Sequence, residues 1–76
     1  MELRTYLNGL PPDEQASFAA RCGTTVGYLR KAISIGQRLG PATCVAIERE
    51  SNKAVTRQEL RPDDWLHCWP ELANAA

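Results

Sequence analysis

Apolar residues recur at three- and four-residue steps along most of this chain, the spacing of one buried helical face. Leu3, Tyr6, Leu7 and Leu10 open the series and predict a short first helix. Pro11 and Pro12 stop it and start the next, because proline suits the first turn of a helix and not its interior. Asp13 and Glu14 follow, where the positive end of a helix favours carboxylates. Phe18 and Cys22 then stand one turn apart on an inward stripe. Gly23 can end this helix by taking the left-handed conformation at no steric cost. Thr24 or Thr25 can cap the next helix with its hydroxyl. Leu29, Ala32 and Ile33 carry that helix's inward stripe. Ser34 to Gly40 contains two glycines and is expected to be a loop or a frayed helix end.

Pro41 starts a further helix, PATCVAIERES, with Cys44, Ile47 and Val45 expected inward. Asn52 suits a left-handed stop. Thr56-Arg57-Gln58-Glu59 fits a capping box, and that helix must be short because Pro62 follows Arg61. Asp63 is expected to cap a last turn or two through Trp65, Leu66 and Trp69, ending before Pro70. Ala54-Val55-Thr56 is the one β-leaning stretch, too short to imply a sheet. The pattern predicts an all-α, compact bundle of about five short helices, with residues 1–76 as a single domain.

The joint between the second and third periodic segments carries the most information. Gln15 to Ala32 reads QASFAARCGTTVGYLRKA, two amphipathic helices separated by a tight glycine turn. That is the outline of a DNA-reading helix-turn-helix. Ala19 falls where the first helix must touch the second, so a small residue is needed there. Thr25, Arg30, Lys31 and Ser34 are left on the outer face. A helical hairpin with no nucleic-acid role has the same outline, so the pattern alone does not decide between the two.

Charge bears on the choice. The formal net charge is zero, but residues 1–20 carry −2, residues 21–61 carry +5 and residues 62–76 carry −3. The basic block begins at the turn and favours phosphate contact over an ordinary solvated surface. No apolar run is long enough to cross a membrane, and the start lacks a basic segment followed by a long apolar run. A cytoplasmic protein is expected. Cys22, Cys44 and Cys68 lie on separate segments, and His67 adjoins Cys68 without helical spacing, so no metal site is expected. Cys22 and Cys44 suit small buried hydrophobes. Asp63, Asp64 and His67 are the one acid–base cluster, and capping with solvated carboxylates accounts for them. No catalytic residues and no cofactor are expected.

Two segments, AARCGTTVGYLRKAI and AIERESNKAVTRQELRPDDW, together with the final WPEL, resemble the Cro-type helix-turn-helix regulators of phages and prophages. The branch they resemble includes the YdaS antitoxin. The resemblance covers roughly residues 15 to 72, and the second segment is the more specific. It implies a lambda-repressor-like domain that acts as a homodimer on a two-fold double-stranded DNA operator and represses transcription, with the recognition helix at about 25–33. Some Cro-type members have strands in place of the C-terminal helices, so helix and strand both stay open after Asn52.

By the same resemblance Thr25, Val26, Gly27, Arg30 and Lys31 match base-reading positions. Gln15, Thr24, Tyr28, Ser34, Gln37 and Arg38 match positions along the DNA backbone. Arg30 suits a bidentate contact to guanine, worth about 1–3 kcal/mol of discrimination, or else a phosphate. Val26 and Gly27 replace the glutamine or serine of many relatives. Valine can touch only a thymine methyl, and glycine reads nothing.

The end of the chain raises a second function class. Trp65 is expected to close the core. Trp69 and Leu72 suit the core and a dimer or partner surface equally, with Leu66 beside them in a segment at about 53–72, because aromatics are enriched at interfaces. The alternative to a repressor is therefore an antitoxin or other protein-binding module that neutralises a toxin or host protein and represses its own promoter.

Overall fold

Leu3 and Leu7 lie one turn apart on α1 (Leu3–Asn8), and both are buried. They meet Phe18 and Ala19 of α2 (Pro12–Arg21) and Leu29 and Ala32 of α3 (Val26–Ile35) in one core. Tyr6 closes over this cluster, its ring centroid 5.2 Å from that of Phe18 in a tilted arrangement. α4 (Pro41–Glu50) packs Cys44 and Ile47 against the same core. The computed structural model describes residues 1–74, and the last two of the 76 lie outside them. Among the described residues there are six α-helices, a closing 3-10 turn at Pro70–Asn74, and no strand. The fold is all-α, and no helix among the described residues is long and apolar enough to cross a membrane.

Three helices stop in the same way. After α2, Gly23 takes φ 76°, and its N–H and that of Thr24 bond back to Ala20 O and Ala19 O. After α3, Gly36 takes φ 68°, with N–H bonds from Gly36 and Gln37 to Ile33 O and Ala32 O. After α4, Asn52 and Lys53 take φ 54° and 66°, and bond to Arg49 O and Glu48 O. Each is the paired 6→1 and 5→2 closure that satisfies the last free carbonyls of a helix. The expected stops at Gly23 and Asn52 hold. The stop at Gly36 corrects the expectation for Ser34 to Gly40. A glycine ends the helix only where it turns left-handed, so Ser34 and Ile35 belong to α3.

Val45 is also corrected. Its side is 37% exposed, and Ala46 is buried beside Cys44 and Ile47 instead. Residue 45 lies about 200° around the helix from residue 47, which points the two to opposite faces.

The C-terminal third is helical. α5 (Arg57–Leu60) starts on the expected capping box: Glu59 N–H donates to Thr56 Oγ1, and Thr56 N–H donates to Glu59 Oε1. Glu59 also pairs with the chain's N-terminal ammonium. Ser51, buried between α4 and α5, donates its hydroxyl to carbonyls and accepts the N–H of Val55 at 3.1 Å. α6 (Trp65–Cys68) is not capped by Asp63 as expected. Asp64 holds the cap position without a side-chain cap bond, because the arginines take both carboxylates. Arg61 grips Asp64 through two bonds of 2.9 and 2.7 Å, which hold its carboxyl below the usual carboxylate range.

Both tryptophans belong to the core side of the fold. Trp69 is buried at 9% exposure, with the Arg57 guanidinium 5.3 Å from its ring centroid. Trp65 is only half-buried. Leu72 is half-buried against the core. Of the expected surface trio Leu66, Trp69 and Leu72, Leu66 alone stands out from the fold, at 52% exposure.

Candidate nucleic-acid interface

The helix-turn-helix geometry rests on a few small contacts. Ala19 is buried at the joint, where α2 and α3 touch. Thr25 is the residue that caps α3, its Oγ1 accepting the Tyr28 N–H at 3.1 Å. Thr24 lies in the turn, half-buried, its N–H committed to Ala19 O. With Leu29 and Ala32 inward, α3 exposes Gly27, Tyr28, Lys31, Ser34 and Ile35, and Thr25 is exposed at its cap.

Not every expected reading residue shares that exposure. Val26 is half-buried and packs on the core. Arg30 is half-buried too, and its Nη2 donates to Gln15 Oε1 at 3.3 Å. Gln15 faces inward, its amide nitrogen bonded to two backbone carbonyls of the first helix and its exit, so its N–H groups are not turned to solvent. Gln37 is exposed and lines an open cleft of about 320 Å³ with Leu3, Leu39 and Leu60. Arg38 is exposed but lies between Asp63 and Asp64, 3.3 Å from each.

Gly27 can be judged on space. A Cβ there would meet nothing nearer than Thr25 Oγ1 at 4.0 Å. The fold therefore does not require glycine at this position. Its effect is to leave bare backbone on the exposed face, the usual reason for glycine where a ligand approaches closely.

Ion pairing redistributes the basic block. Arg21 and Arg49 share Glu50, at 3.0 and 2.9 Å, which lowers the Glu50 pKa chiefly through the Arg49 bond. Arg57 pairs with Glu48 at 2.9 Å, and Arg61 and Arg38 take the two aspartates. Among the described residues of the block, only Arg30, Lys31 and Lys53 make no ion pair. Most of the positive charge that the sequence spreads over forty residues is thus paired, and α3 holds two of the three unpaired cations.

Ile35 is a surface residue that the sequence reading omitted. It is 61% exposed, seven residues after Tyr28 and so two turns further along the same face. The signal was present: Ile35 falls outside the Leu29–Ala32–Ile33 stripe. It was lost by treating residues 34–40 as a loop.

The cysteines are free thiols, with Cys22 and Cys44 buried and Cys68 half-buried. No cluster of three potential metal ligands occurs among the described residues. Burial raises the Cys22 thiol pKa, with Glu50 adding to it, and raises that of Cys44 to about 11. At pH 8 a thiol of that pKa is ionised to about one part in a thousand, and the thiolate is the reacting form. Iodoacetamide at pH 8 should leave Cys44 unmodified in the native chain and modify it in 6 M guanidinium, as read by peptide mass spectrometry. Rapid native modification would contradict its burial.

No family model matches the chain. Over 61 residues it is 28% identical to a prophage transcriptional regulatory protein of Escherichia coli (strain K12), a match that covers 80% of this chain and 92% of that protein.

Proposed function

We propose that this chain is a prophage-type transcriptional regulator that binds double-stranded DNA with α3 in the major groove. The observation that carries the proposal is the outward face of α3. It combines a bare glycine backbone at Gly27, a Lys31 without an ion pair among the described residues, and the capping Thr25, on a helix packed against α2. The similarity to a protein named as a prophage transcriptional regulator supports the same role.

In this reading Thr25, Lys31 and Arg30 face base edges, while Gly27 admits close approach of the DNA. Val26 contributes through packing and any thymine methyl it touches. Thr24, Tyr28, Ser34 and Gln37 flank the groove at the backbone, while Arg38 is held by Asp63 and Asp64. The role is binding, in the cytoplasm, and not catalysis. The reading extends to a Cro-type homodimer that sets two such helices on a two-fold operator and acts as a repressor. Leu66, exposed on α6, is the residue of the C-terminal segment available for a protein contact, either with a second copy or with a toxin-like partner.

The test is a gel-shift of the full chain with duplex from its own upstream region, over a salt series. A sequence-selective complex at micromolar protein that weakens steeply with salt is expected. If no duplex gives such a complex, the proposal fails. Sedimentation of free and bound protein reads the oligomer.

A further inference from the structure

Among the described residues, Gln15 is the one side chain on α2 whose hydrogen bonds reach both α1 with its exit and α3. Its Nε2 lies 2.9 Å from Leu7 O and 2.9 Å from Leu10 O, at the end and exit of α1. A primary amide has two N–H donors, and both are used. The orientation of the amide follows from its partners. A flipped amide would set its oxygen against two carbonyl oxygens and its NH2 against a guanidinium. Oε1 must therefore point toward α3, where it accepts from Arg30 Nη2 at 3.3 Å. Arg30 makes no ion pair among the described residues, so Gln15 is the group that orients its head. Only one of the five guanidinium N–H donors is needed for that bond, which leaves the others for a ligand.

We propose that Gln15 is a positioning residue that presents Arg30 to DNA, rather than a DNA contact in its own right. The inference rests on the DNA-binding reading above. A long side chain fixed before binding loses less rotamer freedom when the complex forms. α1, which lies behind the helix-turn-helix, thereby sets where Arg30 points.

The test is a double-mutant cycle with the full chain and fluorescein-labelled duplex from its upstream region. Gln15→Met and Arg30→Met should each weaken operator binding about tenfold, the scale of one hydrogen bond to a charged group. The double variant should also lose about tenfold, because Gln15 acts only through Arg30. Independent losses, about a hundredfold together, overturn the positioning role while leaving the DNA reading intact. A wild-type chain that binds no duplex selectively overturns the DNA reading and this inference with it. Relaxation of the arginine Nε–Hε groups in the DNA-free wild-type chain tests the clamp even if Gln15→Met does not fold. Arg30 should be more ordered than the exposed Arg4, and Gln15→Met should bring it to the level of Arg4. Equal mobility in the wild type overturns the proposal.

Discussion

Phe18→Ala should lower the thermal midpoint by roughly 15–30 °C. Phe18 is fully buried, in tilted contact with Tyr6, and shares its cluster with Leu7, Ala19 and Leu29. Truncating such a side chain costs about 3–5 kcal/mol, the lost transfer energy plus the cavity left behind. A domain this small has only about 4–11 kcal/mol to lose, at the usual stability per residue. For domains of this size each kcal/mol moves the midpoint by about 4–8 °C, which gives the expected drop. Relaxation is limited because three helices meet at the ring, and closing the gap would require α1 to shift against α2. Such a shift would break the Gln15 bonds to Leu7 O and Leu10 O as well. A far-UV circular dichroism melt reads the result. A drop under about 5 °C would mean that Phe18 is not the contact that joins α1 to α2.

How much of this was legible in the sequence depends on how local each feature is. The helix starts at Pro12 and Pro41, the stops at Gly23 and Asn52, and the Thr56–Glu59 box all depend on residues within one turn of each other. Backbone preference alone declares them. The inward stripe of Leu29 and Ala32 was legible for the same reason. Ion pairing was not. Arg38 meets Asp63 and Asp64 across 25 and 26 residues, and Arg57 meets Glu48 across nine and a helix stop. Counting charges by segment treated these arginines as available to phosphate when the fold had already neutralised them.

The choice between core and surface for Trp69 stayed open in the sequence for a related reason. Trp65 and Trp69 both fit an apolar face, and only the packing of α6 and the 3-10 turn decides which one is covered. Gln15 illustrates the hardest case. Its partners are backbone carbonyls of the preceding helix, and carbonyls leave no mark on side-chain pattern. The expectation of a phosphate contact therefore had nothing in the sequence to oppose it.

Lys31→Ala and Arg57→Ala should give opposite results, although both remove one positive charge from the same basic block. Lys31 is exposed on α3 and makes no ion pair among the described residues. Its removal should leave the melting midpoint within about 3 °C, since surface substitutions away from special features stay within about 0.5 kcal/mol. DNA affinity should fall at least about tenfold, and the slope of log affinity against log salt should drop by about 1, as for one lost phosphate contact. Arg57 does other work. Its side chain and that of Glu48 are 20% and 14% exposed, and its guanidinium covers the Trp69 ring. Arg57→Ala leaves a half-buried Glu48 carboxylate with only the residue-57 backbone N–H, which bonds it at 3.0 Å in the intact chain. The loss should be about 2–3 kcal/mol, between the values for exposed and fully buried pairs. Its salt slope should match the wild type at temperatures where the variant is folded. Equal salt-slope changes in the two variants would mean that DNA senses the net charge of the chain. A change in Lys31→Ala alone would mean that it senses one face of α3, because pairing inside the fold decides which charges a phosphate can reach.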